Sequence, residues 1–391
     1  MVVLQVLPAL VSGGVERGTV EITEAIVRAG GTALVASAGG PMVRTVERAG
    51  GRHIRLPLLT RDPINILFNA RKLSRVIEAN SVQLVHARSR APAWSAWIAS
   101  RRTRTPFVTT YHGAYGEGFP FKRLYNSVMA RGDRVIAISD YIGRLVAERH
   151  GVGRDRLRVI PRGVDPSIFD PALVTGDRID KLARAWRVPD GARTVVVPAR
   201  LSGWKGHSVV LHALAKLRRS DLCCVFVGRG NRRACARLAR QAKDLGLANQ
   251  LRIMGHVDDM PAALMLSDLV VHASTEPEAF GRVVIEAQVM GRPVIASDLG
   301  GPAETVENGV TGWLVLPGDV DQLAATIEYV LKLDDEARPA LGVRARRTVL
   351  ERYTTWAMQE ATIAVYAELL GLGWPESKLN AAETDWRERA A

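Results

Sequence analysis

Two carboxylates eight residues apart, Glu278 and Glu286, flank Phe280 and Gly281 in the stretch EAFGRVVIE. The preceding LVVHAST (269–275) is an apolar, β-branched run of the kind that forms a buried strand. The following VVIEAQVMG carries helical spacing up to a glycine stop. The pair therefore brackets a strand-to-helix turn. In an open parallel sheet such turns form the ligand crevice, where the N–H groups of the next helix present partial positive charge. A carboxylate there that accepts from vicinal hydroxyls binds a sugar or a ribose. The same residues also have a structural reading, in which Glu278 opens a helix and Glu286 pairs with Arg282 four residues earlier.

Other strand ends carry groups of matching chemistry. In PARLSGWKGH, Arg200 offers a planar fork and Lys205 a point charge, a useful pair against the oxygens of a diphosphate. Gly228, Arg229 and Gly230 form the next strand-end turn and line the same site. Ser12, Gly13 and Gly14 permit a backbone shape that brings N–H groups close to phosphate. That loop, VSGGVERG, lacks the Lys-Ser/Thr pair of a P-loop and the glycine spacing of a dinucleotide fold. His112 in TTYHGAYGEG stands where an imidazole bonds a sugar hydroxyl or a developing charge, although a lone His also serves structure. Arg88 and Arg90 in HARSRAP occupy another strand mouth and are candidates for an anionic acceptor. Asp319-Val320-Asp321 spells a metal-binding D-x-D, but its place before QLAATIEYVL makes it a helix cap. No His/Cys cluster has zinc spacing and no Gly-x-Ser-x-Gly offers a nucleophile, so neither a metal nor a covalent intermediate is expected.

The elements that must position these groups repeat a β-α-β order. VVLQVLPAL, GTALVASAG, HIRLPL, VQLVHAR, PFVTTYHG, RVIAISD and LRVIPRGVD read as strands separated by helical sequence. Pro161, Gly163, Pro166 and Pro171 then break regular structure. A second series follows: TVVVPARL, CCVFVGRG, LRIMGH, LVVHAST, PVIASD and TGWLVLPGD. Two doubly wound, Rossmann-like domains facing across a cleft are expected, 1–170 and 171–355. YTTWAMQEATIAVYAELL reads as an amphipathic helix, and the polar residues 378–391 as a tail that frays.

The composition, 47% hydrophobic and 24% charged over 391 residues, is that of a folded protein with two cores. The apolar N-terminus lacks the basic flank of a secretion signal, and no run is long enough to span a membrane. Cys223, Cys224 and Cys235 read as small hydrophobes in a reducing, cytoplasmic setting. A formal net charge of +13 and a pI near 10.1 call for an anionic partner. Arg101, Arg102 and Arg104 beside Trp94 and Trp97 suit peripheral contact with anionic head groups, on the inner face of the plasma membrane, and read equally as solvated arginines at a helix end with the tryptophans in the core. A nucleic-acid binder would also be basic, but no such module is present and the aromatics do not interleave with the basic residues.

The segment EPEAFGRVVIEAQVMGRPVIASDLGGPAETV resembles the signature of retaining family-four glycosyltransferases of the GT-B fold. The resemblance extends to the GG-x-E-R start in LVSGGVERG, to His112, to Arg200 with Lys205-Gly206, and to the C-terminal helix. It implies metal-independent transfer of a sugar from a nucleoside diphosphate sugar, with no bound cofactor. Glu278 would hold donor-sugar hydroxyls and Glu286 the ribose, with Phe280, Gly281, Arg282 and Val283 completing that turn. Arg200 and Lys205 would neutralise the departing diphosphate, His112 would face the donor sugar, and Gly255 and His256 would lie under the nucleobase. Gly13 and Gly14 would abut the diphosphate, with Glu16 and Arg17 beside the acceptor. The C-terminal helix, 356–375, would return to the N-terminal domain. The implied acceptor is a lipopolysaccharide core or other anionic glycolipid or saccharide. A sugar-nucleotide epimerase of the same fold is the nearest rival; a phosphorylase would need a pyridoxal phosphate lysine in a matching context, which the sequence lacks.

Overall fold

The apolar runs become parallel strands, the central ones buried on both faces, as sheets covered by helices on either side require. The computed structural model describes residues 1–116, 118 and 120–373. A seven-stranded sheet holds β1 (Val2–Val6), β2 (Thr32–Ser37), β3 (Arg52–Arg55), β4 (Leu84–Ala87), β5 (Phe107–Tyr111), β6 (Arg134–Ala137) and β7 (Leu157–Val159) in the order 3-2-1-4-5-6-7. A six-stranded sheet holds β8 (Arg193–Pro198), β9 (Leu222–Val227), β10 (Leu251–Met254), β11 (Leu269–His272), β12 (Val294–Ser297) and β13 (Trp313–Val315) in the order 10-9-8-11-12-13. Each sheet winds outward, then restarts beside its first strand. The resulting switch points lie between β1 and β4 and between β8 and β11, and ligands of such sheets bind beyond the strand ends there.

Local chemistry sets the helix ends. Asp62 accepts from the Asn65 amide (2.8 Å) ahead of Pro63, and Ser139 accepts from the Ile142 amide (3.1 Å). Asp319 caps the helix Val320–Leu331 through the Gln322 amide (2.9 Å), and Asp321 pairs with Lys216, so the D-x-D segment is a helix start.

The chain divides into Met1–Arg162 with Thr355 onward, and Gly163–Thr354. The break falls at 162/163 and not at 170/171. Contacts of the intervening residues explain it: the Val164 amide donates to Tyr353 O (2.9 Å), Phe169 is buried, and Asp170 meets Arg346 at 3.2 Å. Within the first unit, the helix Thr355–Leu370 places Met358, Ile363, Val365 and Tyr366 in one core with Val3, Ile22, Ile26, Leu84 and Val108. The expected fraying of 378–391 lies outside the described residues. Among the described residues no helix is long and apolar enough to cross a membrane.

A polar layer lies under that helix. Tyr366 Oη meets His86 Nδ1 (2.5 Å), His86 Nε2 meets the Thr110 hydroxyl (2.7 Å), and Arg88 Nε donates to Gln5 Oε1 (2.7 Å). Gln5 Nε2 in turn donates to Thr19 O and to the Thr23 hydroxyl. Burial, then the charges of Arg88 and Arg162, holds His86 well below the ordinary imidazole pKa, and burial pushes the Tyr366 phenol up. Removing one buried partner costs the desolvation of the group left behind, about 1–3 kcal/mol. Tyr366→Phe should therefore lower the unfolding free energy of the full chain by about that amount in urea titration. An unchanged midpoint would mean that the hydroxyl is not needed to hold the returning helix.

Candidate functional site

The switch point of the second sheet gathers the charged groups expected there. Lys205 ends the short 3-10 turn Gly203–Lys205 after β8, and its Nζ lies 2.5 Å from Glu278 Oε2. Glu278 stands in the loop after β11, bridged to Gly300, and does not start a helix. The helix starts at Arg282 with Gly281 as its cap, at φ 78°, where a Cβ would run into Pro302. The same Glu278 oxygen meets His272 Nε2 at 2.6 Å and the Ser274 hydroxyl at 3.4 Å. Lys205 also lies 4.3 Å from the centre of the Trp204 ring. Burial alone would raise the Glu278 carboxyl, but the His272 bond and the charges of His272 and Lys205 outweigh it and pull its pKa down to about 2.

Glu286 lies on the second turn of the helix Arg282–Val289, 7% exposed, with Oε1 3.8 Å from Arg282 Nε. The structural pairing of these two residues is thus present, while the structural reading of Glu278 is not. Arg200 and Arg229 are exposed, and Leu201 N donates to Arg229 O (3.0 Å), tying the loops after β8 and β9 together. Gly228 has φ 156° because a Cβ would strike Ala199 O. Gly255 and His256 are exposed at the end of β10, with His256 3.2 Å from Asp258. Val283 is half-buried in the first helical turn. Phe280 is 4% exposed and packs edge-to-face on Tyr353, so its ring anchors the turn.

At the first sheet, Gly13 (φ 138°) caps the helix Gly14–Arg28, and Glu16 and Arg17 occupy its first turn. Burial raises the Glu16 carboxyl, and Arg17 lies 3.6 Å from Glu21. His112 follows β5, with Nδ1 3.0 Å from Arg162 Nη2. The expected acceptor cations are placed differently. Arg88 is 2% exposed inside the polar layer, because it shares a sheet face with His86 two residues earlier. Arg90 lies over the Tyr115 ring at 4.0 Å and donates to Asn126 Oδ1, so it braces the loop after β5. Of the expected Trp-Arg membrane surface, Arg101, Arg102 and Arg104 are exposed, but the tryptophans are turned to other partners. Trp94 and Trp97 are half-buried and edge-to-face, Arg131 lies over both rings, and Arg101 pairs with Asp133.

Sequence reasoning passed over His272 and Arg162. Period-two alternation would have found the first, since His272 and Ser274 share the face that turns toward Glu278. Arg162, in the proline-broken stretch after β7, carries no local signal.

A carboxylate whose folded pKa is depressed adds stability that is complete above its unfolded value, about 4.3, and is lost as pH falls through the folded value. For Glu278 that window ends at about 2. Glu278→Gln should melt below the wild type at neutral pH, and the gap in melting temperature should close as pH falls toward the folded value. A gap that does not change with pH would remove the ion pair as its cause.

Comparison with known proteins bears on the family and the fold. The family described as glycosyltransferase family 4 matches residues 12–168, and the family described as glycosyl transferases group 1 matches residues 178–348. The chain is 29% identical to the phosphatidyl-myo-inositol mannosyltransferase of Mycolicibacterium smegmatis, over 96% of this chain and 95% of that one. The crystal structure of a glycosyltransferase from Rickettsia africae is 37% identical and superposes with a TM-score of 0.88, covering 94% of this chain and 98% of that one. Anabaena HepE, solved with UDP-glucose, is 26% identical with a TM-score of 0.82, covering 94% of this chain and all of that one. With both halves matched in order and a relative at 37% identity along nearly its whole length, the chain belongs to the glycosyltransferases of the GT-B fold, a family 4 domain followed by a group 1 domain.

Proposed function

We propose that this glycosyltransferase moves a sugar from a nucleoside diphosphate sugar, with retention at the anomeric carbon and without a metal, to a phosphate-bearing, lipid-linked acceptor. The observation that carries the donor half is the Lys205–Glu278 pair at the switch point of the second sheet. An incoming diphosphate competes with Glu278 for Lys205. As Lys205 turns to phosphate, Glu278 Oε2 is released to accept from sugar hydroxyls, still oriented by His272. Lys205 and Arg200 then stabilise charge developing on the leaving diphosphate. Glu286, one helical segment away, accepts from the ribose. UDP-glucose bound to the Anabaena relative supports a nucleotide-sugar donor. Retention rests on the resemblance to family-four enzymes, in which the acceptor attacks from the side the diphosphate leaves.

The acceptor half rests on charge and on the mannosyltransferase relative, whose name specifies a phosphatidylinositol acceptor. A lipopolysaccharide core presents the same chemistry of phosphate on a lipid-anchored polyol. A surface suited to such a membrane lies on the helix Pro63–Ala79. Ile64, Leu67 and Phe68 are 65%, 50% and 52% exposed on one face, with exposed Arg61, Arg71, Lys72 and Arg75 beside them. Apolar side chains among cations suit an anionic interface, where each basic residue contributes about 1 kcal/mol.

A panel of UDP- and GDP-sugars, read by donor hydrolysis and thermal shift, identifies the donor. With the best donor, Lys205→Ala and Glu286→Ala should each lose turnover by about 10² or more in protein that stays folded, the lysine variant melting lower because it leaves Glu278 unpaired, and a chelator should leave the wild type active. Near-wild-type transfer by either variant would void its role, and rescue of a chelated enzyme by manganese would void metal independence. Leu67→Ser with Phe68→Ser should weaken sedimentation with phosphatidylglycerol vesicles while sparing donor affinity. Wild-type protein that ignores such vesicles at low salt would point to a soluble acceptor.

A further inference from the structure

Arg162 is the last residue before the chain enters the second unit, and its side chain turns back into the first. It is 5% exposed. One guanidinium nitrogen, Nη2, donates to the Gly14 carbonyl (2.9 Å) at the opening of the helix Gly14–Arg28 and to His112 Nδ1 (3.0 Å) after β5. The other, Nη1, lies 3.6 Å from Met358 Sδ on the returning helix. The guanidinium is seated against Gly18, where any Cβ would collide with it. Three elements thus hold one cation in one place.

A guanidinium has donors and no acceptor. The nitrogen it meets must therefore supply a lone pair, so His112 Nδ1 is unprotonated. The one proton of the neutral ring then sits on Nε2, the tautomer being set by the bond that the other nitrogen makes. His112 Nε2 is buried and has no hydrogen-bond partner among the described residues. A buried donor of this kind calls for a partner that the bare chain does not supply, a ligand oxygen or an ordered water. Burial, then the charges of Arg162 and Arg88 and the neighbouring His86, keeps the His112 pKa well below the ordinary value, which agrees with a neutral ring.

We propose that Arg162 is a positioning residue that fixes His112 in the neutral tautomer protonated at Nε2, so that the ring offers a hydrogen-bond donor, and no base, to an oxygen of the bound substrate. This rests on the reading above that His112 meets substrate. It assigns His112 the role of polarising or holding an oxygen, and excludes proton abstraction by Nε2. It also gives the Gly14 carbonyl and Gly18 a task, since both fix the guanidinium that fixes the ring.

The test is the long-range proton–nitrogen spectrum of full-length protein labelled with nitrogen-15 histidine, near neutral pH, with His112 assigned through His112→Gln. The wild type should show the Nε2-protonated pattern. Arg162→Met should change that pattern and lower turnover about tenfold in protein that stays folded. Arg162→Lys, which keeps a donor without an acceptor, should restore both. His112 protonated at Nδ1 in the wild type, or an unchanged pattern in a folded Arg162→Met, overturns the proposal; should the Met variant not fold, the wild-type and Lys spectra decide. Adding UDP-glucose separates the two readings. A His112 shift supports substrate contact, whereas none overturns that contact while the tautomer result is judged on the ligand-free spectra.

Discussion

The carboxylate of Glu278 is the point on which the second unit's chemistry turns. It is held ionised by two donors from different strand ends, Lys205 after β8 and His272 at the end of β11. Those strands are neighbours, yet the chain passes through β9 and β10 before returning from one to the other. The reversal of strand order is what allows groups far apart in sequence to close on a single oxygen. Rigidity follows from the surroundings: Gly281 lets the backbone turn sharply over Pro302, and Phe280 is locked on Tyr353. The helix that carries Glu286 is thereby fixed relative to Glu278.

The first unit solves a different problem. Its strand ends are also polar, but Gln5, His86 and Arg88 point into a closed layer with Tyr366. Register explains why: Gln5 and His86 are paired across β1 and β4, and Arg88 continues the same face. An unmatched partner is costly in such a layer, which suits it to locking the returning helix in one orientation, although Arg88 Nη2 has no hydrogen-bond partner among the described residues. Arg162 works at the margin of this layer. Its guanidinium meets Gly14, the helix Thr355–Leu370 and His112.

Much of this was legible in the sequence because it is written in patterns that depend on neighbours along the chain. Every strand corresponds to one of the runs read from the sequence; the central ones are apolar throughout because they are buried on both faces, while β3, β7 and β10 at the edges are partly exposed. The Glu278–Glu286 spacing survives as a loop carboxylate and a helical one, and Asp319 is a cap. The misplaced residues are those whose direction depends on the third dimension. Arg88 and Arg90 look alike beside a strand end, yet one enters a polar layer and the other lies on Tyr115. Trp94 and Trp97 near arginines suggested an interface, but the arginine that covers them is Arg131, some thirty residues on. Arg162 gave no sign because its partners, Gly14 and His112, are brought to it by sheet order alone.

On the proposed reading, the charge balance of the second unit's site bears on how a donor is recognised. Lys205 is the buried cation of the second unit's site, and in the ligand-free chain Glu278 already neutralises it. A basic site without that partner would bind any phosphate through charge alone. On the proposed reading, a bare phosphate gains Lys205 only by leaving Glu278 without its ammonium partner, whereas a nucleotide sugar offers hydroxyls to that carboxylate as it takes the lysine. Discrimination then comes from replacing both halves of the pair together, a difference of affinities and not a sum of attractions. The same logic applies to His112, which presents a donor whose bond must be met by an oxygen in the right place. A site that leaves a buried polar group unmatched with the wrong ligand rejects it more strongly than a pocket that merely fits. The large positive charge of the chain as a whole can therefore steer anionic ligands without itself setting specificity.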